Sequence, residues 1–401
     1  MPLLISRRQG VAGTLLVSAL GSGSGRAQAQ PRRSTPSHIV NESIRPIMQE
    51  HHVPGMAVAV TVRGKQYVFN FGVAARAIGQ KVTNDTIFEI GSLSKTFTAT
   101  LAAYAQARGA LSFSDRASKY LPALAGGAFD RVSLLDLGTY TAGGLPLQFP
   151  DDVTDQAKMV AYFKTWRPAY APGTHRLYSN PSMGLFGYLA ARSMGRSFDD
   201  LMEKTLFPMF GLSNTYIRIP QVRMGGYAWG NTKGGRPIRV APGVFDSEAY
   251  GVKTTAADMI RFVEANIDSA GLEETLQRAI AATQTGYDKV GDMIQGLGWE
   301  RYTWPTVLDR LLAGNSSQMS LQVNAVTQLE PPMPPAKDML LNKTGSTNGF
   351  GAYAAFVPAR RIGVVLLANK NYPIPARVTA AYRILSAIDG EAGSEGPRSR
   401  G

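Results

Sequence analysis

Two stretches at opposite ends of the chain constrain its fold more than anything between them. "MAVAVTVRGKQYVFNFGVA" alternates on either side of Arg63-Gly64, and "GFGAYAAFVPARRIGVVLLANK" holds two apolar runs around Pro358–Arg361. Each reads as a pair of strands joined by a short turn. Between them, from 110 to 310, helical patches alternate with Pro/Gly loops, including a long polar stretch at 217–245. Strands at both ends with helices between predict one sheet built from both termini and a mostly helical insertion. The boundaries follow: 30–108 and 311–390 form the sheet domain, 109–310 the helical domain, and 391–401 a disordered tail.

Three helices help to place the chemistry. One spans 38–50. A second, "TATLAAYAQARG", is rich in alanine and leucine and is stopped by Gly109. The last, 376–389, sets Val378, Ala381, Tyr382, Leu385 and Ile388 on one face ahead of Gly390.

The first 29 residues read as an export segment. Arg7-Arg8 precedes the apolar run "GVAGTLLVSAL", and Ala27-Gln28-Ala29 supplies an A-x-A cleavage site. The paired arginines also suit a twin-arginine signal. The run is shorter than the roughly 20 residues of a membrane span, so a periplasmic product beginning near Gln30 is expected. Removing 29 residues with three arginines and no acid lowers the net charge from +13 to +10. The remaining cations are dispersed, which argues against nucleic-acid binding and is compatible with anionic substrates. With no cysteine, disulfides and thiolate chemistry are excluded.

The chemistry centres on "GSLSKTF" at 91–97. A serine hydroxyl is nearly inert without a base, and Lys95, three residues after Ser92, lies on the same helical face. The helix start also favours an oxyanion. About one S-x-x-K is expected by chance in a chain of this length, so the motif needs company. "YSN" at Tyr178–Asn180 and "KTGS" at Lys343–Ser346 supply it. Lys343, on an edge strand, would offer charge to a substrate carboxylate, and two lysines would lower the Tyr178 phenol enough for it to relay protons. His175 has no evident Asp partner for a Ser/His/Asp triad, and no ligand-spaced cluster supports a zinc mechanism, so no metal or other cofactor is expected.

In this order the three motifs resemble those of penicillin-recognising serine enzymes. With "YSNPSMGLFG", "EAYGVKTT", "QGLGWE", "NKTGSTNGFGAYAAFVP" and "LLANKNYPIPARV", the mature chain resembles the class C (AmpC-type) β-lactamases along its length. The resemblance implies an α/β (α+β) fold of the serine β-lactamase/penicillin-binding kind, an antiparallel sheet flanked by helices. It implies that Ser92 is acylated, that the amides of Ser92 and Ser346 form the oxyanion hole, and that Lys95 and Tyr178 share the proton traffic. Gln148 and Asn180 would contact the side-chain amide of the substrate. Tyr250 would form a wall of the site, and Lys343, Thr344 and Gly345 would hold the carboxylate side. Ile374 occupies a position where many class C enzymes carry an asparagine, which would shift carboxylate binding toward Lys343, Thr344 and Arg377. Trp299 and Glu300 are read as structural.

The reading is therefore a secreted, monomeric serine β-lactamase whose partner is a small β-lactam, a cephalosporin or penicillin. A D,D-peptidase would form the same acyl-enzyme and release it slowly, so it stays open as an alternative. Serine esterases on this scaffold often lack the intact Lys343-Thr344-Gly345. Penicillin sensors are usually tethered by a membrane span, and a class A mechanism would need an E-x-x-L-N type loop that the chain does not contain.

Overall fold

The structure is a computed structural model that describes residues 35–393. The export segment 1–29 and the start at Gln30 lie outside the described residues. The first helix, α1 (Pro36–Glu50), is capped by Thr35 Oγ1, which accepts from His38 N. Strands β1 (Gly55–Val62) and β2 (Lys65–Ala75) form the expected hairpin. Its turn is tight because Arg63 and Gly64 both adopt positive φ, 53° and 86°.

A ten-stranded antiparallel sheet is the frame of the molecule. Besides β1 and β2 it contains β3 (Gln80–Lys81), β4 (Gly286–Val290), β5 (Met293–Gln295), β6 (Glu300–Thr303), β7 (Thr327–Met333), β8 (Met339–Ser346), β9 (Gly351–Val357) and β10 (Ile362–Ala368). The order across it is β7-β4-β5-β6-β8-β9-β10-β1-β2-β3. The two termini therefore meet at β10–β1, where Val58 lies opposite Leu366.

Strands β1, β9 and β10 are apolar at successive positions because both faces are covered. On one face Met56, Val58, Val60, Val364 and Leu366 pack with Ile44 and Ile47 of α1 and with Val378, Ala381 and Leu385 of the C-terminal helix. On the other, the smaller Ala57, Ala59, Ala352 and Ala354 let a layer of helices approach. That layer is built around α2 (Ser94–Ala107), with α3 (Asn180–Ser193), α4 (Asp246–Ala249), α5 (Ala256–Ile267) and α6 (Glu274–Gln284). α2 is buried from Ser94 to Ala105, which explains its small side chains.

Two boundaries differ from the sequence reading. Residues 286–303, assigned to the helical part, supply β4 to β6. These strands are three to five residues long and carry Asp288, Lys289, Gln295, Glu300 and Arg301, so no alternation marks them. The final helix, α7 (Ile374–Gly393), passes through Gly390, so residues 391–393, assigned to the tail, are helical. A glycine costs a helix only about 1 kcal/mol, too little to end it by itself.

Candidate active site

Ser92 lies in a 3-10 turn, Gly91–Leu93, that runs directly into α2. Gly91 holds φ +51°, and a Cβ there would sit 2.4–2.5 Å from the Ser346 backbone. A Cβ on Gly345 would lie 1.9 Å from Ile90 O. The Ser92 turn and the end of β8 are thus clamped backbone to backbone, which brings the amides of Ser92 and Ser346 to one place.

Lys95 is fully buried in the first turn of α2. Its Nζ donates to Ser92 Oγ at 2.8 Å, Asn180 Oδ1 at 2.6 Å and Ala249 O at 2.7 Å. Burial, reinforced by Lys343 and opposed by Tyr178, brings its pKa down to about 8. The Ala249 carbonyl is held in place by α4, which is tied to α2 through Thr98 Oγ1 donating to Glu248 O, and by the segment after it, where Val252 N donates to Ser94 Oγ.

Tyr178 is buried between the two lysines, with Lys343 Nζ 5.0 Å and Lys95 Nζ 5.1 Å from its ring centroid. Burial alone would raise its phenol. Lys343 and Lys95 outweigh it, aided by the Ser92 hydroxyl, and the pKa falls to about 8. Its Oη has no partner of good hydrogen-bond geometry among the described residues. Lys343 behaves oppositely to Lys95: burial lowers its pKa, but Tyr178 and Glu300 carry it above the usual lysine value. Its Nζ lies 3.7 Å from Glu300 Oε1.

Lys343 does not sit on an edge strand, because β8 lies between β6 and β9. Yet β6 begins only at Glu300, opposite Asn342, so Lys343–Ser346 runs past its neighbour and the edge exists locally, where the cleft is. This stretch forms the last four residues of β8.

The cleft has two lobes that share Ser92, Gln148, Asn180 and Ser346. The larger, about 470 Å³, also reaches Tyr250. The smaller, about 240 Å³, also reaches Tyr178, Lys343, Thr344, Gly345 and Ile374. Gln148 is placed because Asn180 N, at the start of α3, donates to Leu147 O at 3.0 Å. Ser179 caps that helix by accepting from Ser182 N.

Arg377 is a correction. It is fully buried behind β8 and lines neither lobe. Nη1 donates to Gly345 O at 2.8 Å and Ser346 Oγ at 2.9 Å, and Nη2 to Asn371 Oδ1 at 2.5 Å and to Tyr372 O. It positions the strand end and does not reach substrate space. Burial lowers its pKa to about 10, which still leaves it charged at neutral pH.

Glu300, read as structural, is the second correction, since it lines the smaller lobe beside Lys343. Sequence reasoning also passed over Arg176. Its guanidinium lies 5.7 Å from the Tyr178 ring centroid and 3.8 Å from Glu300, and it is held by Gln295 Oε1 and Met319 O. The signal was available, because Arg176 and Tyr178 are two residues apart in an extended segment and so share a face. His175 instead stacks on Tyr170 and bonds Thr174 Oγ1. No metal-holding cluster of His, Cys, Asp or Glu occurs among the described residues.

Comparison with known proteins agrees with this geometry. The sequence family described as Beta-lactamase matches residues 40–389. A β-lactamase of Pseudomonas fluorescens is 56% identical over 351 residues, 88% of this chain and 98% of that protein. A class C β-lactamase solved in complex with cefoxitin superposes with a TM-score of 0.86 at 49% identity, over 88% of this chain and 99% of that one. A β-lactamase/D-alanine carboxypeptidase from Pseudomonas syringae gives a TM-score of 0.86 at 48% identity, over 88% and 98%.

Proposed function

The chain belongs to the β-lactamase family, in its class C branch, and we propose that it opens the β-lactam amide of cephalosporins and penicillins through an acyl-Ser92 intermediate. The observation that carries this assignment of roles is the buried Ser92–Lys95–Tyr178–Lys343 cluster, in which both proton-carrying groups are brought to about 8. Near neutral pH both sites are mostly filled. The base is the minor form that has lost one proton from the Lys95/Tyr178 pair, and that fraction grows as pH approaches 8.

In acylation the pair takes the Ser92 proton as Oγ bonds to the lactam carbonyl carbon, then returns it to the ring nitrogen as the C–N bond breaks. The amides of Ser92 and Ser346 hold the oxyanion. In deacylation Tyr178 accepts a proton from water as its oxygen attacks the ester, and Ser92 regains a proton as it leaves. Lys343 and Thr344 take the ring carboxylate in the smaller lobe. Asn180 uses Oδ1 on Lys95, so its amide N–H groups are available to the substrate side chain beside Gln148. Arg377 acts at a distance, by holding Gly345 and Ser346.

Among the described residues no helix is long and apolar enough to cross a membrane. We assign residues 1–29 to export into the periplasm. The Pseudomonas syringae neighbour supports a second reading, a D,D-peptidase, which shares the acylation step and differs in the lifetime of the adduct. Mass spectrometry of exported protein quenched with a slow β-lactam addresses both. An N-terminus at Gln30 and drug mass on the Ser92 peptide that vanishes within turnover time are expected, with no adduct on Ser92→Ala. A wild-type adduct that lasts for hours, with little hydrolysis, would assign the peptidase.

A further inference from the structure

The two lobes that meet at Ser92 differ in charge. The smaller contains Lys343, Arg176 and Glu300, a net cation suited to the ring carboxylate. The larger is lined by neutral side chains with one exception, Arg239.

Arg239 is fixed in place. Its guanidinium carbon lies 3.9 Å from the Tyr227 ring centroid and 4.1 Å from that of Trp229. Nε donates to Ala228 O at 3.1 Å, and Nη2 donates to Tyr227 O. Two rings and two carbonyls restrict the group, and Nη1 has no partner among the described residues. The nearest acid, Glu89, is buried and already engaged. It accepts from Tyr227 Oη at 2.5 Å, Val240 N at 2.7 Å and Thr347 Oγ1 at 2.6 Å. Glu89 therefore holds the wall that carries Arg239 without closing an ion pair with it. What remains is an oriented cation with an uncommitted donor in a lobe that offers no competing charge.

We infer that Arg239 is a specificity determinant that favours β-lactams whose acyl side chain carries a carboxylate. This rests on the acyl-Ser92 reading, because the side chain enters the larger lobe only if the ring carboxylate lies with Lys343. An anionic side chain would accept from Nη1 and gain from a cation that has no ion-pair partner, whereas an ammonium there would be repelled.

Three penicillins with one common ring and benzyl, α-carboxybenzyl or α-aminobenzyl side chains test this. The readout is the ratio of kcat/KM for the carboxylated to the neutral substrate. In Arg239→Gln the ratio should fall about tenfold, mainly through KM, the size expected for a charge-assisted bond on a half-exposed cation. Arg239→Lys should keep part of it, and the α-amino substrate should improve relative to the neutral one in Arg239→Gln. If Arg239→Gln does not fold, wild type decides, since its preference should weaken as ionic strength rises from about 0.05 to about 0.5 M. Hydrolysis of all three with an unchanged ratio in the variant, or a salt-insensitive preference in wild type, would overturn the inference alone. Hydrolysis of none by wild type would sink the lactamase reading and this inference with it.

Discussion

Replacing Tyr178 with phenylalanine should move activity and stability in opposite directions at neutral pH. The ring itself is held by Tyr140, 4.8 Å away between centroids, and by the cations of Lys95, Lys343 and Arg176 around its face. The Oη is buried without a partner of good geometry. A buried unsatisfied polar group costs about 1–3 kcal/mol, so its removal should leave the fold as stable or more stable by up to that amount. Turnover should fall by about 10²–10⁴-fold, the usual contribution of a general acid–base group.

The pH dependence of that stability fixes the sign. Tyr178 titrates at about 8 in the fold against 10.0 when unperturbed. A depressed acid contributes stability that is complete above the unfolded value and lost as pH falls through the folded one. A depression of that size is worth on the order of 3 kcal/mol, almost none of which operates at pH 7 and most of which operates by pH 10. Chemical denaturation of wild type and variant should therefore show the advantage of phenylalanine at pH 7 shrinking or reversing by pH 10. Turnover within threefold of wild type, or a variant less stable at pH 7 by more than about 1 kcal/mol, would refute the argument. The second result would mean that the hydroxyl is bonded after all.

Lys343→Met removes the cation that contributes most to lowering Tyr178, so the phenol pKa should rise and the pH–rate curve should shift upward. Its kcat should be depressed more at neutral pH than near about pH 9, while Lys343→Arg should keep the wild-type profile; a parallel loss at every pH would remove Lys343 from the proton chemistry. Arg377→Met leaves Gly345 O, Ser346 Oγ and the Asn371 side chain without their donor. Stability should fall by about 3 kcal/mol or more, and kcat should suffer more than KM. A variant of wild-type stability with only KM raised would restore Arg377 to the substrate.

Legibility in the sequence followed whether a property is local. The β1–β2 hairpin and the β9–β10 pair could be read because each strand's apolar residues, and the turn between them, lie within about twenty consecutive residues. The Ser92–Lys95 pair could be read because three residues of helix bring them together, and the 2.8 Å bond bears that out. Burial is not local. Arg377 and Glu300 were misplaced because their roles depend on which segment covers them. A buried arginine looks in sequence like any substrate-binding arginine, and a glutamate two positions past Gly298 looks like a sheet residue until Lys343 is seen 3.7 Å away. The same holds for the Ala249 carbonyl on Lys95, a backbone atom that no side-chain pattern can signal. The lysine in S-x-x-K is ordinary until Asn180 and Ala249 enclose it. The first and third motifs share a site because two backbones approach where only glycine fits, Gly91 against Ser346 and Gly345 against Ile90, and the second joins them through the Lys95–Asn180 bond. The glycines of "GSLSK" and "KTGS" therefore belong to the catalytic apparatus as much as the lysines do, since a methyl group at either would separate the serine from the strand edge that serves it.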